Sequence, residues 1–181
     1  MADPTRRALL GAPLLLAAAP AAPDPAAARG HDFRFPAIEG GEIDLGAQRG
    51  RPLLVINTAS FCGFASQFAG LQRIHERYGP RGLFLLAVPS NDFNQENADS
   101  TAIKAFCEAT WGVDFPMAAP CHVKGPEAHP FFAWAAARST APRWNFFKYL
   151  VAKDGRLLQA FPSATGPDAP SFRQAIEAAL T

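Results

Sequence analysis

Cys62 is the residue whose position most clearly suits chemistry. It follows a continuous apolar run, Pro52-Leu53-Leu54-Val55-Ile56-Asn57, which reads as a strand buried on both faces. Downstream, Phe68, Leu71, Ile74, His75 and Tyr78 recur at helical spacing until Gly79-Pro80 stops the pattern. Strand-to-helix junctions of open α/β sheets expose reactive side chains to ligands. A thiol near a helix N-terminus also meets the positive end of the helix dipole, which favours the thiolate, the attacking form. Gly63 would let a substrate and the backbone approach closely. On position alone, a small apolar cysteine packed at a strand end remains an equal reading.

The neighbouring residues narrow the chemistry. Exchange through a Cys-x-x-Cys pair is excluded, because Ala65 stands where the second cysteine would be. The chain has two further cysteines, Cys107 and Cys121, so pairing would leave one thiol over. A nucleophile, a partner and a spare is one account, and two structural cysteines with an accidental third is the other. His31, His75, His122 and His129 show no metal-ligand spacing. Glycine-rich phosphate loops and a nucleophilic serine motif are absent, so neither a cofactor nor a metal is expected.

The elements that must position Cys62 fit one domain. The 181 residues are 49% apolar and 18% charged, a globular balance. Seventeen Lys and Arg against sixteen Asp and Glu give no charge asymmetry that would point to nucleic acid or an anionic membrane. Residues 1–28 read differently. Arg6-Arg7 leads into an apolar stretch from Gly11 to Ala19 and an Ala/Pro-rich run with small-residue sites such as Ala19-Pro20-Ala21. That is the pattern of a cleaved export signal, and the paired arginines fit the twin-arginine route. The stretch is too short to span a bilayer, so no membrane insertion is expected after its removal, and a periplasmic or otherwise exported protein is.

From residue 30 to 181 strands and helices alternate. His31 to Phe35 and Glu42 to Leu45 predict a hairpin turning at Gly40-Gly41. Gly82 to Val88 predicts a second buried strand, and Ser100 a cap for a helix through Ile103, Phe106 and Cys107 to Gly112. A helix is expected from Pro126 or Pro130, two strands over Trp144–Val151 and Leu157–Phe161 turning at Lys153-Asp154-Gly155, and a closing helix capped by Ser171. The order βαβα then ββα is that of an α/β, thioredoxin-like fold: a mixed central sheet flanked by helices on both faces.

The stretch Val55-Ile56-Asn57-Thr58-Ala59-Ser60-Phe61-Cys62-Gly63 closely resembles the glutathione peroxidase signature V-N-x-A-S-x-C-G. The resemblance continues through Val88-Pro89-Ser90-Asn91-Asp92-Phe93, Trp111-Gly112-Val113-Asp114-Phe115-Pro116, Ala128-His129-Pro130 and Arg143-Trp144-Asn145-Phe146-Phe147-Lys148-Tyr149-Leu150-Val151. It implies a thiol peroxidase that reduces hydrogen peroxide or organic hydroperoxides. The family's peroxidatic residue falls on Cys62, its Trp-Asn pair on Trp144 and Asn145, and its catalytic glutamine on Gln95. The chain departs from the usual F-G-x-Q-E here: Phe93-Asn94-Gln95-Glu96 is one residue shorter before the glutamine and lacks the glycine. His129, in the Ala-His-Pro motif, reads as structural.

After attack Cys62 would become a sulfenic acid that needs a second thiol. Cys107 lies near the position of the resolving cysteine in thioredoxin-dependent members, one residue earlier, and one residue is about 100° of rotation on a helix. A core role for Cys107 is the competing reading, and Cys121 reads as incidental. A peroxiredoxin is disfavoured because Thr58 lies four residues before Cys62, against the usual Thr-x-x-Cys. The short stretch from Ala133 to Arg143 resembles the monomeric branch of the family, which implies a thioredoxin-like protein rather than glutathione as reductant. The rival from another class is an exported thioredoxin-fold binding module with no peroxidase activity.

Overall fold

The computed structural model describes residues 27–97 and 99–181, so the expected export signal lies outside it except for its last two positions. Ala28 is buried, and its carbonyl accepts the Trp134 indole N–H at 2.8 Å.

Among the described residues a 3-10 turn (Gly30–Asp32) precedes an antiparallel hairpin, β1 (Arg34–Pro36) and β2 (Glu42–Asp44), turned by Gly40 and Gly41 at φ of 92° and 79°. The sheet that carries the fold has four strands: β3 (Leu53–Thr58), β4 (Phe84–Pro89), β5 (Lys148–Val151) and β6 (Leu157–Phe161). Their order is β4-β3-β5-β6, with β4 parallel to β3 and both β5 and β6 antiparallel to their neighbours. All six residues of the central β3 are buried, as its unbroken apolar run requires.

Helices cover both faces. On one, α1 (Gln67–Tyr78), α2 (Ser100–Trp111) and α4 (Pro170–Leu180) pack Phe68, Ile103, Cys107 and Phe172 against Leu54, Ile56 and Leu150. On the other, α3 (Pro130–Arg138) and the hairpin pack Phe131, Trp134 and Phe35 against Leu53, Val55 and Tyr149. This is the mixed, doubly covered sheet expected of a thioredoxin-like fold.

Several element ends differ from expectation for local reasons. Asp99, not Ser100, caps α2, its carboxylate accepting the Thr101 N–H at 3.0 Å. Pro130, not Pro126, opens α3. Behind it, His129 Nδ1 accepts the Phe131 N–H, Nε2 donates to the Arg34 carbonyl at 2.8 Å, and the ring stacks on Phe35. His129 is therefore a structural tie between α3 and β1. Pro170 opens α4 behind Ala169, so Ser171 is not its cap. Finally β5 begins only at Lys148, which leaves Trp144 and Asn145 in the connector before the strand rather than within it.

Lys148 is fully buried, with its ammonium donating to the Phe146 carbonyl at 2.7 Å. Burial pulls its pKa down to about 7. Between that value and the ordinary one near 10.5, the unfolded chain keeps a proton the folded chain has released, so folding gains stability as pH rises. Below pH 7 both states carry the proton and the dependence vanishes. Measured by urea unfolding, the parent should gain on the order of 3–4 kcal/mol relative to Lys148→Met between pH 7 and 10.5. Parallel stability curves would show that the amine is not desolvated.

Candidate active site at the β3–α1 turn

Cys62 stands where the chain leaves β3 and winds toward α1. The Cys62 carbonyl accepts the Ala65 N–H at 2.8 Å and the Phe64 carbonyl the Gln67 N–H at 2.9 Å, so successive turns lead into the helix. The Phe64 N–H also points at Cys62 Sγ, 3.4 Å away. Cys62 is 6% exposed, between an outward-facing Phe61 and the core residues Ala59 and Ala65. A Cβ at Gly63 would meet nothing within 4 Å, so access on that side does not depend on glycine.

The connector before β5 is attached to the end of β3 by one residue, through its backbone and its side chain. Asn57 is fully buried, and its backbone exchanges hydrogen bonds with the Phe146 N–H at 2.6 Å and the Phe147 carbonyl at 3.2 Å. Its amide nitrogen donates to the Trp144 carbonyl at 3.2 Å, and its amide oxygen accepts the Phe147 N–H at 3.0 Å. Lys148 takes the Phe146 carbonyl. Phe146 itself has φ of 62°, a conformation that bulky residues adopt only when their surroundings impose it. Asn57 and Lys148 supply those surroundings, and the outcome is a displaced segment that presents Asn145.

Asn145 meets Gln95. The Asn145 amide nitrogen donates to Gln95 Oε1 at 3.0 Å, while the Gln95 carbonyl accepts the N–H of Phe61, the residue before Cys62, at 3.0 Å. Gln95 thus joins the β5 connector to the thiol's own turn. The short loop reaches because Asn94 takes φ of 56°, a left-handed conformation asparagine tolerates better than other side-chain-bearing residues. Trp144 is 40% exposed and lies against Phe93 of the same loop, with ring centroids 5.3 Å apart. The structure therefore gathers Gln95, Trp144 and Asn145 around the loop that leads to Cys62. Asn145 Oδ1 is buried with no hydrogen-bond partner.

Glu96, next to Gln95, is a buried carboxylate. It accepts the Ser60 N–H at 3.1 Å and the Asn97 N–H at 2.8 Å. Burial raises its pKa against the pull of Ser60 and Asn97. Cys107 lies fully buried on α2 in the same core cluster as Cys62, and both thiols are free. Burial, with the charge of Glu96, pushes the Cys107 thiol up to about 12. Cys121 is half-buried in the loop after Pro120 and is likewise pushed up to about 12 by burial and Asp92. Among the described residues no cluster of three or more His, Cys, Asp or Glu is arranged to hold a metal.

Asn57 and Glu96 carry the site's geometry and are visible in the sequence only as letters of a motif. A polar residue closing an otherwise apolar buried strand was the available signal for Asn57, since a buried amide needs partners on both sides.

A thioredoxin-like sheet bearing a solitary cysteine in the β3–α1 turn, with amides gathered from two other loops, defines a thiol-dependent oxidoreductase. A family model described as glutathione peroxidase matches residues 31–136. The chain is 38% identical over 150 residues to the hydroperoxy fatty acid reductase gpx1 of Synechocystis sp., covering 76% of this chain and 89% of that one. It is 36% identical over 137 residues to a glutathione peroxidase-like peroxiredoxin of Chlamydomonas reinhardtii, covering 71% and 85%. The crystal structure of Trgpx in apo form superposes with a TM-score of 0.69 at 27% identity, covering 85% of this chain and 96% of that one. The chain belongs to the glutathione peroxidase family. It is a peroxidase, an oxidoreductase that reduces hydroperoxides at the expense of a thiol donor.

Replacing Asn57 by alanine would leave the Trp144 carbonyl and the Phe147 N–H without partners. Asn57→Ala should cost about 2–4 kcal/mol of stability by urea unfolding, since each orphaned buried group costs about 1–3 kcal/mol. Peroxide turnover should fall by more than the unfolded fraction explains. Unchanged turnover per folded molecule would remove Asn57 from the positioning of Asn145.

Proposed function

We propose that Cys62 is the peroxidatic residue and that Gln95, Trp144 and Asn145 stabilise its reaction. The Cys62 thiolate attacks the terminal oxygen of a hydroperoxide. The O–O bond breaks, the departing alkoxide or hydroxide takes up a proton to become alcohol or water, and the sulfur is left as a sulfenic acid. Charge moves from sulfur onto the departing oxygen, so N–H donors held beside both lower the barrier without reorganising. An amide nitrogen carries two N–H groups, so Asn145 retains one beyond its bond to Gln95, and the Trp144 indole adds another. The observation that carries this reading is the 3.0 Å bond from Asn145 to Gln95, whose own backbone is bonded to the residue before Cys62.

Cys107 is the resolving thiol in this account, attacking the sulfenic sulfur to give a disulfide and water. A thioredoxin-like protein is the reductant of that disulfide in preference to glutathione. The connection from α3 to Trp144 is short, Ser139 to Arg143, which favours a monomer with an open site. The leader at residues 1–28 supports export to the periplasm and release without membrane anchorage. Among the described residues no helix is long and apolar enough to cross a membrane.

Steady-state turnover tests the site and the donor together. Cys62→Ser should abolish peroxide reduction, and Gln95→Ala or Asn145→Ala should each lower it about 10²-fold or more, the scale of losing one preorganised donor. Thioredoxin should support faster turnover than glutathione at equal thiol. Full activity in Gln95→Ala would drop Gln95 from the site, and equal rates with both donors would overturn the donor assignment. For the leader, changing Arg6 and Arg7 to lysine should block export, and continued export would rule out the twin-arginine route.

A further inference from the structure

The two halves of the 90–97 loop are held from different directions. Gln95 and Glu96 are bonded to the Cys62 turn, through the Phe61 and Ser60 N–H groups. Asp92 and Phe93 instead face the segment 121–124. The Asp92 carboxylate is committed there on both oxygens. Oδ1 accepts from His122 Nδ1 at 2.6 Å, and Oδ2 accepts the Val123 N–H at 2.7 Å and the Lys124 N–H at 3.1 Å. The side chain is only 8% exposed, so these three donors compensate a charge that has left water. The His122 contact alone would be a surface ion pair, but the two backbone N–H groups fix the course of the segment itself.

That segment is anchored in turn. The Cys121 N–H bonds the Pro89 carbonyl at 3.1 Å, and Val123 is buried in the core cluster that includes Phe131 and Trp134 of α3. The His122 carbonyl accepts the N–H of His129, the tie between α3 and β1, at 2.8 Å. Asp92 therefore couples its loop to the packed layer on the α3 side of the sheet. The coupling reaches Trp144 through Phe93. The Lys124 ammonium lies over the Phe93 ring, 4.2 Å from its centroid, and Phe93 meets the Trp144 ring with centroids 5.3 Å apart. Asn57 pins the Trp144 carbonyl, but the side chain is 40% exposed and its only aromatic neighbour among the described residues is Phe93. The aim of the indole thus depends on where Phe93 stands.

We propose that Asp92 is a positioning residue for peroxide reduction: clamped to 121–124, it holds Phe93, and Phe93 holds the Trp144 indole. The inference rests on the reading of Trp144 as a donor in the site. Asp92 acts only through these neighbours. Its contribution is that the indole N–H is already aimed when charge moves onto the departing oxygen, so no reorganisation is needed in the transition state. Lys124 and His122 are accessory to the clamp, one against the Phe93 ring and the other on the outer side of the carboxylate.

The test compares rates of Cys62 oxidation. Full-length parent and variant proteins are mixed with excess hydrogen peroxide and quenched with N-ethylmaleimide at set times. Mass spectrometry then scores the loss of reduced Cys62, and urea unfolding of each variant puts the rates on a per-folded-molecule basis. Asp92→Ala should slow the reaction about tenfold, less than the roughly 10²-fold expected when Trp144→Phe removes the donor outright. Asp92→Asn should recover the rate to within about threefold of the parent, because its amide oxygen still accepts the Val123 and Lys124 N–H groups. The decisive readout is coupling: Asp92→Ala added to Trp144→Phe should slow that variant by less than about twofold further, since no indole is left to aim. A parent rate in Asp92→Ala, an Asp92→Asn as slow as Asp92→Ala, or losses that multiply in the double variant would overturn the inference while leaving Trp144 in the site. A parent rate in Trp144→Phe would instead remove Trp144 from the site, and this inference with it.

Discussion

The site depends on how Asn57 closes β3. Every polar group that this residue owns is spent on the segment Trp144–Phe147, two through its backbone and two through its side-chain amide. The exchange pulls that segment out of the β5 ladder, forces Phe146 into a left-handed conformation and delays the start of the strand to Lys148. A regular strand would place alternate residues on opposite faces of the sheet. The displaced segment instead sends Asn145 to Gln95, at the level of the Cys62 turn.

This arrangement explains how residues from three separate loops, Cys62, Gln95 and Asn145 among them, come to one edge of the sheet. The parallel β3–β4 pair puts the ends of both strands at the same edge of the sheet, so the Cys62 turn and the 90–97 loop are neighbours. The Ser90 N–H bonds the Thr58 carbonyl, the Phe61 N–H bonds Gln95, and the Ser60 N–H bonds Glu96, three ties along one short stretch. Antiparallel β5 runs the other way, and its beginning therefore reaches that same edge. Rigid strands carry the three loops, and the loops carry the chemistry, as is usual for ligand sites on open sheets.

Much of the frame was legible because burial writes directly into composition. The unbroken apolar run of β3 and the spacing of Phe68, Leu71 and Tyr78 on α1 follow from which faces meet the core. Cys62 stood out by its place between them. Features set by contacts distant in sequence were hidden. Asn57 bonds residues 87 and 90 positions away, and nothing local to it distinguishes that role from a turn or cap. The shortened Phe93–Glu96 loop looked as though it had lost freedom with its glycine, yet Asn94 takes the left-handed angle in its place. Trp144 and Asn145 read as the start of a strand because Trp and the aromatic run after them favour strands, and only the pairing with Asn57 overrides that preference. Helix starts at Asp99, Pro130 and Pro170 rest on individual hydrogen bonds and proline geometry that several nearby residues would have satisfied equally well on paper.

The central claim is that a single sulfur, Cys62, meets the peroxide. It is tested most directly in Cys107→Ser, where the proposed resolving thiol is absent and cannot consume the oxidised sulfur. Treated with one equivalent of hydroperoxide in the presence of dimedone and mapped by peptide mass spectrometry, this variant should carry the adduct on Cys62 and leave Cys121 unmodified. An adduct on Cys121 with Cys62 untouched would contradict the account.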